Sequence, residues 1–449
     1  MKRKFLCLTL VLLLLGMTVL LYGCEDKDGE TASPDLTPQP ELFSYTFTKE
    51  GTYAISPKSK SDLPKALVLP DEYNGIPVTA VKAYAFAGCD IEQVYCGTNI
   101  SLVGQRAFMN CQSLEFVSLR DGVIDHEAFA GCETLATVQF QGDLVEIGNN
   151  AFADCTSLNH LVLPESLTMI GTSAFQNCKS LTSLSIPSNV SHIGYSAIFG
   201  CENLTSLTVS EQNPYYFSQN NCLIDVESKT LVLGLSTTQI PDNIKAIGNN
   251  AFAGCLGLVN VTLPDSVEKI GVSAFAGCTN LESITWGENL TVLDDSAFNG
   301  CSSLKEINIP EKVEYIGARC FYGCTSLETA HLTEGLGSIG PRAFYGCTKL
   351  KSIVLPDSVT HIGYGSFYGC SSLKDFTIGA GLISIGGASF WGCTSLSSIH
   401  IPLHVATIGD QAFHGCSSLT IRSAFAAENP SWSDRWNDSD CPVVWNEDN

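Results

Sequence analysis

Cysteine is the residue of this chain with the most chemistry to offer, and it recurs on a fixed beat. A phrase of Ala-Phe, two residues and Cys, or a close variant, ends at Cys89, Cys111, Cys132, Cys155, Cys178, Cys201, Cys255, Cys278, Cys301, Cys324, Cys347, Cys370, Cys393 and Cys416. Three chemistries are open to such a column. A metal site needs paired ligands at close spacing with His nearby, and one Cys every 23 residues does not supply that. Cys320 and Cys324 are the closest pair, and Cys320 stands where the phrase usually has Ala. Disulfides need side chains that point at each other, whereas a stacked column points inward in parallel. The column is therefore read as buried thiols acting as small hydrophobes. Cys96, Cys222 and Cys441 lie outside it, and their state stays open.

Catalytic constellations are missing from the sequence. There is no Gly-rich loop followed by Lys-Ser or Lys-Thr, no H-E-x-x-H and no complete G-x-S-x-G. No cofactor, metal or enzyme activity is expected.

The elements that position these residues follow from the period. A repeat of 23 residues signals a solenoid with one coil per repeat. In the coil Cys155–Cys178, Leu158, Leu161 and Leu163 have L-x-x-L-x-L spacing, with Val162 facing out of a short strand. Pro164 ends the strand because it cannot donate to a ladder. Leu167 and Ile170 turn inward, Gly171 permits a tight bend, and Ala174 and Phe175 cover the far side. The expected fold is an α/β-type leucine-rich repeat solenoid with a parallel β-sheet on one face, built mostly of strand and irregular structure.

The solvent-facing strand position reads Tyr95, Ser118, Gln139, Val162, Ser185, Thr208, Thr262, Thr285, Asn308, His331, Val354, Thr377 and His400. This column holds no Asp, Glu, Lys or Arg, so it cannot supply paired carboxylates or a nucleophile with its base. His331 and His400 are three coils apart, too far to share a metal. The column instead suggests a broad contact surface of hydroxyls. The neighbouring column varies more, with Phe116, His160, Asn260, Glu306 and Asp375. Tyr95, Phe116, His160, His331 and His400 are the candidate binding residues.

The pattern resembles the BspA-like leucine-rich repeat family of bacterial surface proteins. The phrase ending in Cys, the 23-residue period and the dipeptides Ile147-Gly148, Ile170-Gly171, Ile270-Gly271 and Ile362-Gly363 carry the resemblance over about residues 44 to 449. It implies a surface scaffold associated with adhesion, and an extracellular or host protein as partner. A glycan is the alternative ligand.

The N-terminus reads as an export signal. Lys2-Arg3-Lys4 precedes an apolar run from Phe5 to Leu21 that is short for a spanning helix. Leu21-Tyr22-Gly23-Cys24 resembles the lipobox of bacterial lipoproteins, which implies lipidation of Cys24 and a body outside the cytoplasmic membrane. Residues 1–23 are thus the signal. Residues 24–42, acidic and rich in Pro and Thr, form a disordered tether. Residues 43–80 form an N-terminal β cap, and 81–420 the solenoid. Residues 421–449 form a C-terminal cap in which Trp432, Trp436 and Trp445 are either a lid or a sugar platform.

Cys201 to Cys255 spans 54 residues, and a hairpin insertion is placed at about 210–240. It is expected to project from a Cys-less coil, either as a tolerated insertion or as a functional loop. The formal charge of −22 sets the chain against nucleic acid and anionic lipid headgroups. The membrane is touched through the lipid anchor alone, and the chain is expected to be a monomer.

Overall fold

Stacked coils are the answer to a chain whose single repeats cannot bury their own apolar side chains. The computed structural model describes residues 37–447. In the coil ending at Cys178, the side chains of Leu158, Leu161, Leu163, Leu167, Ile170, Ala174, Phe175 and Cys178 are all buried, while Val162 is 66% exposed.

Each coil has three sides. The first carries the strand of the leucine motif, as at Asn260–Thr262, which pairs in parallel with Ser283–Thr285 of the following coil. A second, shorter strand ends in the Ile of the Ile-Gly dipeptide. Ala246–Ile247, Lys269–Ile270 and Val292–Leu293 pair in parallel at 23-residue steps. The sequence suggested one sheet-bearing face; there are two. The third side is the phrase ending in Cys, and it is turn throughout. The one helical element among the described residues is the 3-10 turn Pro40–Leu42, ahead of the solenoid.

Two left-handed residues bracket each turn. In the coil ending at Cys301 they are Ser296, with φ 58°, and Gly300, with φ 76°. Between them Ala297 and Phe298 point inward and are fully buried. The rings stack from coil to coil with near-parallel planes in two runs, Phe86 to Phe175 beginning at 5.0 Å between centroids and Phe252 to Phe413 ending at 5.4 Å. The Cys thiol finishes the turn. Cys301 Sγ donates to the Phe275 carbonyl of the preceding coil at 3.2 Å, and the Cys278 N–H donates to the same oxygen at 3.2 Å. The same thiol bond recurs along the column, for example Cys178 to Phe152 and Cys370 to Phe344. All eighteen cysteines of the described residues are free thiols, Cys96, Cys222 and Cys441 included.

The glycine of the Ile-Gly pair has a different role from the one expected. Gly171 has no left-handed φ; a Cβ there would stand 2.5 Å from the Gly148 backbone carbon of the previous coil. It permits close stacking of coils and not a bend.

The insertion does not project. Tyr216–Gln219, Cys222–Asp225 and Thr230–Gly234 form an antiparallel meander, and Thr230–Gly234 then pairs in parallel with Ala246–Ile247. Leu223, Ile224, Leu231 and Leu233 are buried. Leu223 and Leu233 pack into the core of the N-terminal coils, and Cys222, Ile224 and Leu231 into that of the C-terminal coils. Both faces of the meander are apolar, so it is a septum between two half-arrays.

The ends are closed differently. Phe43–Phe47 and Tyr53–Pro57 pair antiparallel, and the second continues into the parallel sheet at Ile76–Val81. At the far end Trp432 and Trp436 are each 4% exposed, and Trp436 packs edge-on against Phe413. Trp432 donates its indole N–H to the Val405 carbonyl at 3.3 Å. The two buried tryptophans form a lid over the last coil.

Candidate functional site

The first-strand face, whose strands pair among the described residues in four sheets of five, two, two and seven strands, carries the candidate residues. Parallel pairing in register sorts its outward side chains into two columns. One runs Phe116, Thr137, His160 through direct partners; the other includes Tyr95, Ser118 and Gln139. Tyr95 and Phe116 come together, with ring centroids 5.4 Å apart and planes tilted by 44°. The Tyr95 hydroxyl donates to Gln93 Oε1 at 2.9 Å, and burial pushes its pKa up. His160 lies exposed two coils beyond Phe116, about 10 Å away at ordinary strand spacing. These three side chains make one patch.

The two other histidines are elsewhere. His331 is exposed, with Nε2 3.8 Å from Glu306 Oε1, while Asn308 Nδ2 donates to that same oxygen at 3.2 Å. His400 is half-buried, and its Nε2 is enclosed without a partner. Ser118, expected to face solvent, is only 4% exposed. Cys24 and the signal lie outside the described residues.

The sheet extends two strands further than the sequence indicated, through Thr420–Ser423 to Val443–Trp445. Thr420–Ser423 pairs with Ser398–Ile401 and places Arg422 opposite His400. Arg422 is paired with Glu447 of the C-terminal cap, so the one cation in this column is neutralised. The alternation Leu419, Ile421 after the last repeat Cys was its sequence signal.

A second surface feature was missed because it lies in the turn. The residue after the buried Phe is Tyr322, Tyr345, Tyr368, Trp391 and His414 in five successive coils. The first four of these half-buried rings stack with centroid distances of 4.7, 4.5 and 5.5 Å, and the His414 ring lies 4.0 Å from Trp391 with its plane tilted by 41°. Burial and the neighbouring phenols hold the Tyr345 hydroxyl above its ordinary pKa. Ring faces are consumed by the stack, so solvent meets ring edges. Among the described residues no group of three or more His, Cys, Asp or Glu is placed to hold a metal ion. No helix among them is long and apolar enough to cross a membrane.

One family model, BspA type leucine rich repeat region, matches the chain over residues 119–224, 232–351 and 316–425. The chain belongs to the BspA type leucine rich repeat family. Among solved structures, a leucine-rich repeat protein from Eubacterium ventriosum is similar with a TM-score of 0.62 at 23% identity, covering 88% of this chain and 96% of its own. A leucine rich cell surface protein from Faecalibacterium prausnitzii is similar with a TM-score of 0.53 at 24% identity, covering 77% and 95%. A leucine-rich repeat protein from Bacteroides ovatus is similar with a TM-score of 0.53 at 26% identity, covering 85% and 98%. A search of curated protein sequences finds no match. The BspA-type chain is thus a leucine-rich repeat scaffold of the bacterial surface-protein type.

Proposed function

We propose that this protein is an exported, lipid-anchored scaffold that binds an extracellular or host protein through its first-strand sheet, as a monomer and without catalysis. The observation that carries the reading is the sheet surface itself. It is long, rich in Ser, Thr and Asn, and neutral along its central column, with one aromatic pair, Tyr95 and Phe116, beside His160. Rigid aromatics among adaptable hydroxyls suit a protein contact. Export rests on Lys2-Arg3-Lys4, the apolar run and Cys24. The glycan alternative is less well supported, because sugars stack on ring faces and the long aromatic stack of this molecule offers edges.

The test is a binding screen of the chain from residue 25 onward, without lipid, against immobilised matrix proteins and a polysaccharide panel at physiological salt. Saturable binding to a protein, lost when Tyr95, Phe116 and His160 are changed to Ala, is the expected result. Binding confined to polysaccharide replaces this reading with glycan capture.

A further inference from the structure

Regular coils are tied together along their turns by three main-chain bonds. Ser173, Phe175 and Asn177 donate to the carbonyls of Tyr195, Ala197 and Phe199 one coil on, at 3.0, 2.8 and 2.7 Å. At the septum this ladder stops. Among the described residues, the matching N–H groups of Ser196, Ile198 and Gly200 have no partner. On the far side the matching carbonyls of Asn249 and Ala253 accept nothing, and only that of Ala251 is taken, by Gly234 N–H at 2.8 Å.

The cause lies in the sequence. The septum coil has Leu233-Gly234-Leu235-Ser236 where other coils have the phrase ending in Cys, so it lacks most of a turn. The Phe stack breaks at the same place, between Phe175 and Phe252. A cavity of about 90 Å³ fills the gap, lined by Ile198, Leu204, Leu233 and Leu235 and by the half-buried Cys201 and Cys255. Phe199 lies across it with its ring on Gly254, where a Cβ would stand 2.5 Å from Cε2. Burial pushes both thiols up to about 12, which takes thiolate chemistry out of consideration at neutral pH.

Three open main-chain donors on one coil and two open acceptors on the coil beyond the septum, with a cavity of mixed lining at the same place, are what an incomplete turn leaves behind, and main-chain pairing plus one side-chain pocket is a general mode of peptide recognition. We propose that this notch takes a short peptide segment of a protein partner, whose main chain completes the ladder and whose aromatic side chain enters the cavity. The site is distinct from the exposed sheet and stands whether or not the sheet binds protein.

The probe is a fluorescent peptide copying residues 171–177, Gly-Thr-Ser-Ala-Phe-Gln-Asn, titrated with the full chain under reducing conditions and followed by anisotropy. Saturable binding is expected, weaker by about tenfold or more when the peptide Phe is Ala or when its Ser and Asn amides, the donors matching the open Asn249 and Ala253 carbonyls, are N-methylated. Ser236→Trp, at the rim of the cavity, should weaken binding comparably, Phe199→Ala should strengthen it, and Phe116→Ala on the sheet should leave it unchanged. Binding to neither the wild type nor Phe199→Ala overturns the proposal, and so does binding indifferent to N-methylation. The two peptide controls use wild-type protein, so they decide the matter even if Ser236→Trp does not fold.

Discussion

Every repeat Cys except Cys89 and Cys255 sits where a small apolar group with one weak donor is needed, because its thiol and a backbone N–H share a Phe carbonyl that would otherwise be half-satisfied. Burial has a consequence for pH. It holds the Cys370 thiol up to about 12 and those of Cys347 and Cys393 well above the ordinary value, against about 8.5 for an exposed thiol. Between these limits the unfolded chain releases protons that the folded chain keeps. Stability is complete below about pH 8.5 and is lost as pH rises toward 12. By pH 9.5 one such thiol costs about 1.4 kcal/mol. Several together rival a typical total stability of roughly 5–15 kcal/mol. Circular dichroism under reducing conditions should therefore show cooperative unfolding with a midpoint between about pH 9 and 10. Replacing Cys301, Cys347 and Cys370 together by Ser should move that midpoint upward, and a fold intact to pH 11 would refute this account.

Within a coil, two classes of glycine should respond differently to the same substitution. At Gly171 an added methyl meets backbone at 2.5 and 2.6 Å, which cannot swing aside. Gly171→Ala is expected to cost about 2–3 kcal/mol. Gly365 is left-handed, with φ 61°, but a Cβ there meets only side-chain atoms at 3.6 and 3.8 Å. Non-glycine residues occupy the equivalent position in other coils, Arg342 and Ala388 among them. Gly365→Ala should cost less than about 1 kcal/mol, since lost unfolded-chain entropy offsets part of the φ penalty. Urea midpoints of the two variants give the comparison, and equal losses would mean that coil contact does not limit the Ile-Gly position.

At the scale of the whole array, charge works against compaction. Coils are bridged by ion pairs such as Lys245–Glu268 at 2.6 Å, Lys269–Asp294 at 2.8 Å and Lys305–Glu282 at 2.6 Å, all at least partly exposed. Such pairs contribute about 0–1 kcal/mol each. With 46 acids against 24 Lys and Arg, repulsion over the long body outweighs them. Raising NaCl from about 10 to about 150 mM should raise Tm by a few degrees, because screening relieves the excess charge more than it weakens the pairs. A falling Tm would show that the bridges dominate.

Repetition made the coil legible in the sequence: a 23-residue period with alternating Leu at fixed offsets leaves one way to bury every Leu, Phe and Cys, and stacking follows. The outward column from Tyr95 to His400 was legible for the same reason, since strand side chains alternate faces. Features that depend on neighbouring coils were not. Gly171 acts on the coil before it, so its role was invisible within its own repeat. The Tyr322 to His414 stack forms between residues 23 apart in a turn that carries no strand periodicity. Ser118 and His400 lie on the outward column, yet their surroundings enclose them. Both faces of the septum strands are apolar, a pattern that sequence alone assigns equally to a projecting hairpin or a buried wall. Only packing against two separate cores decided for the wall, and with it the notch where the ladder of main-chain bonds stops.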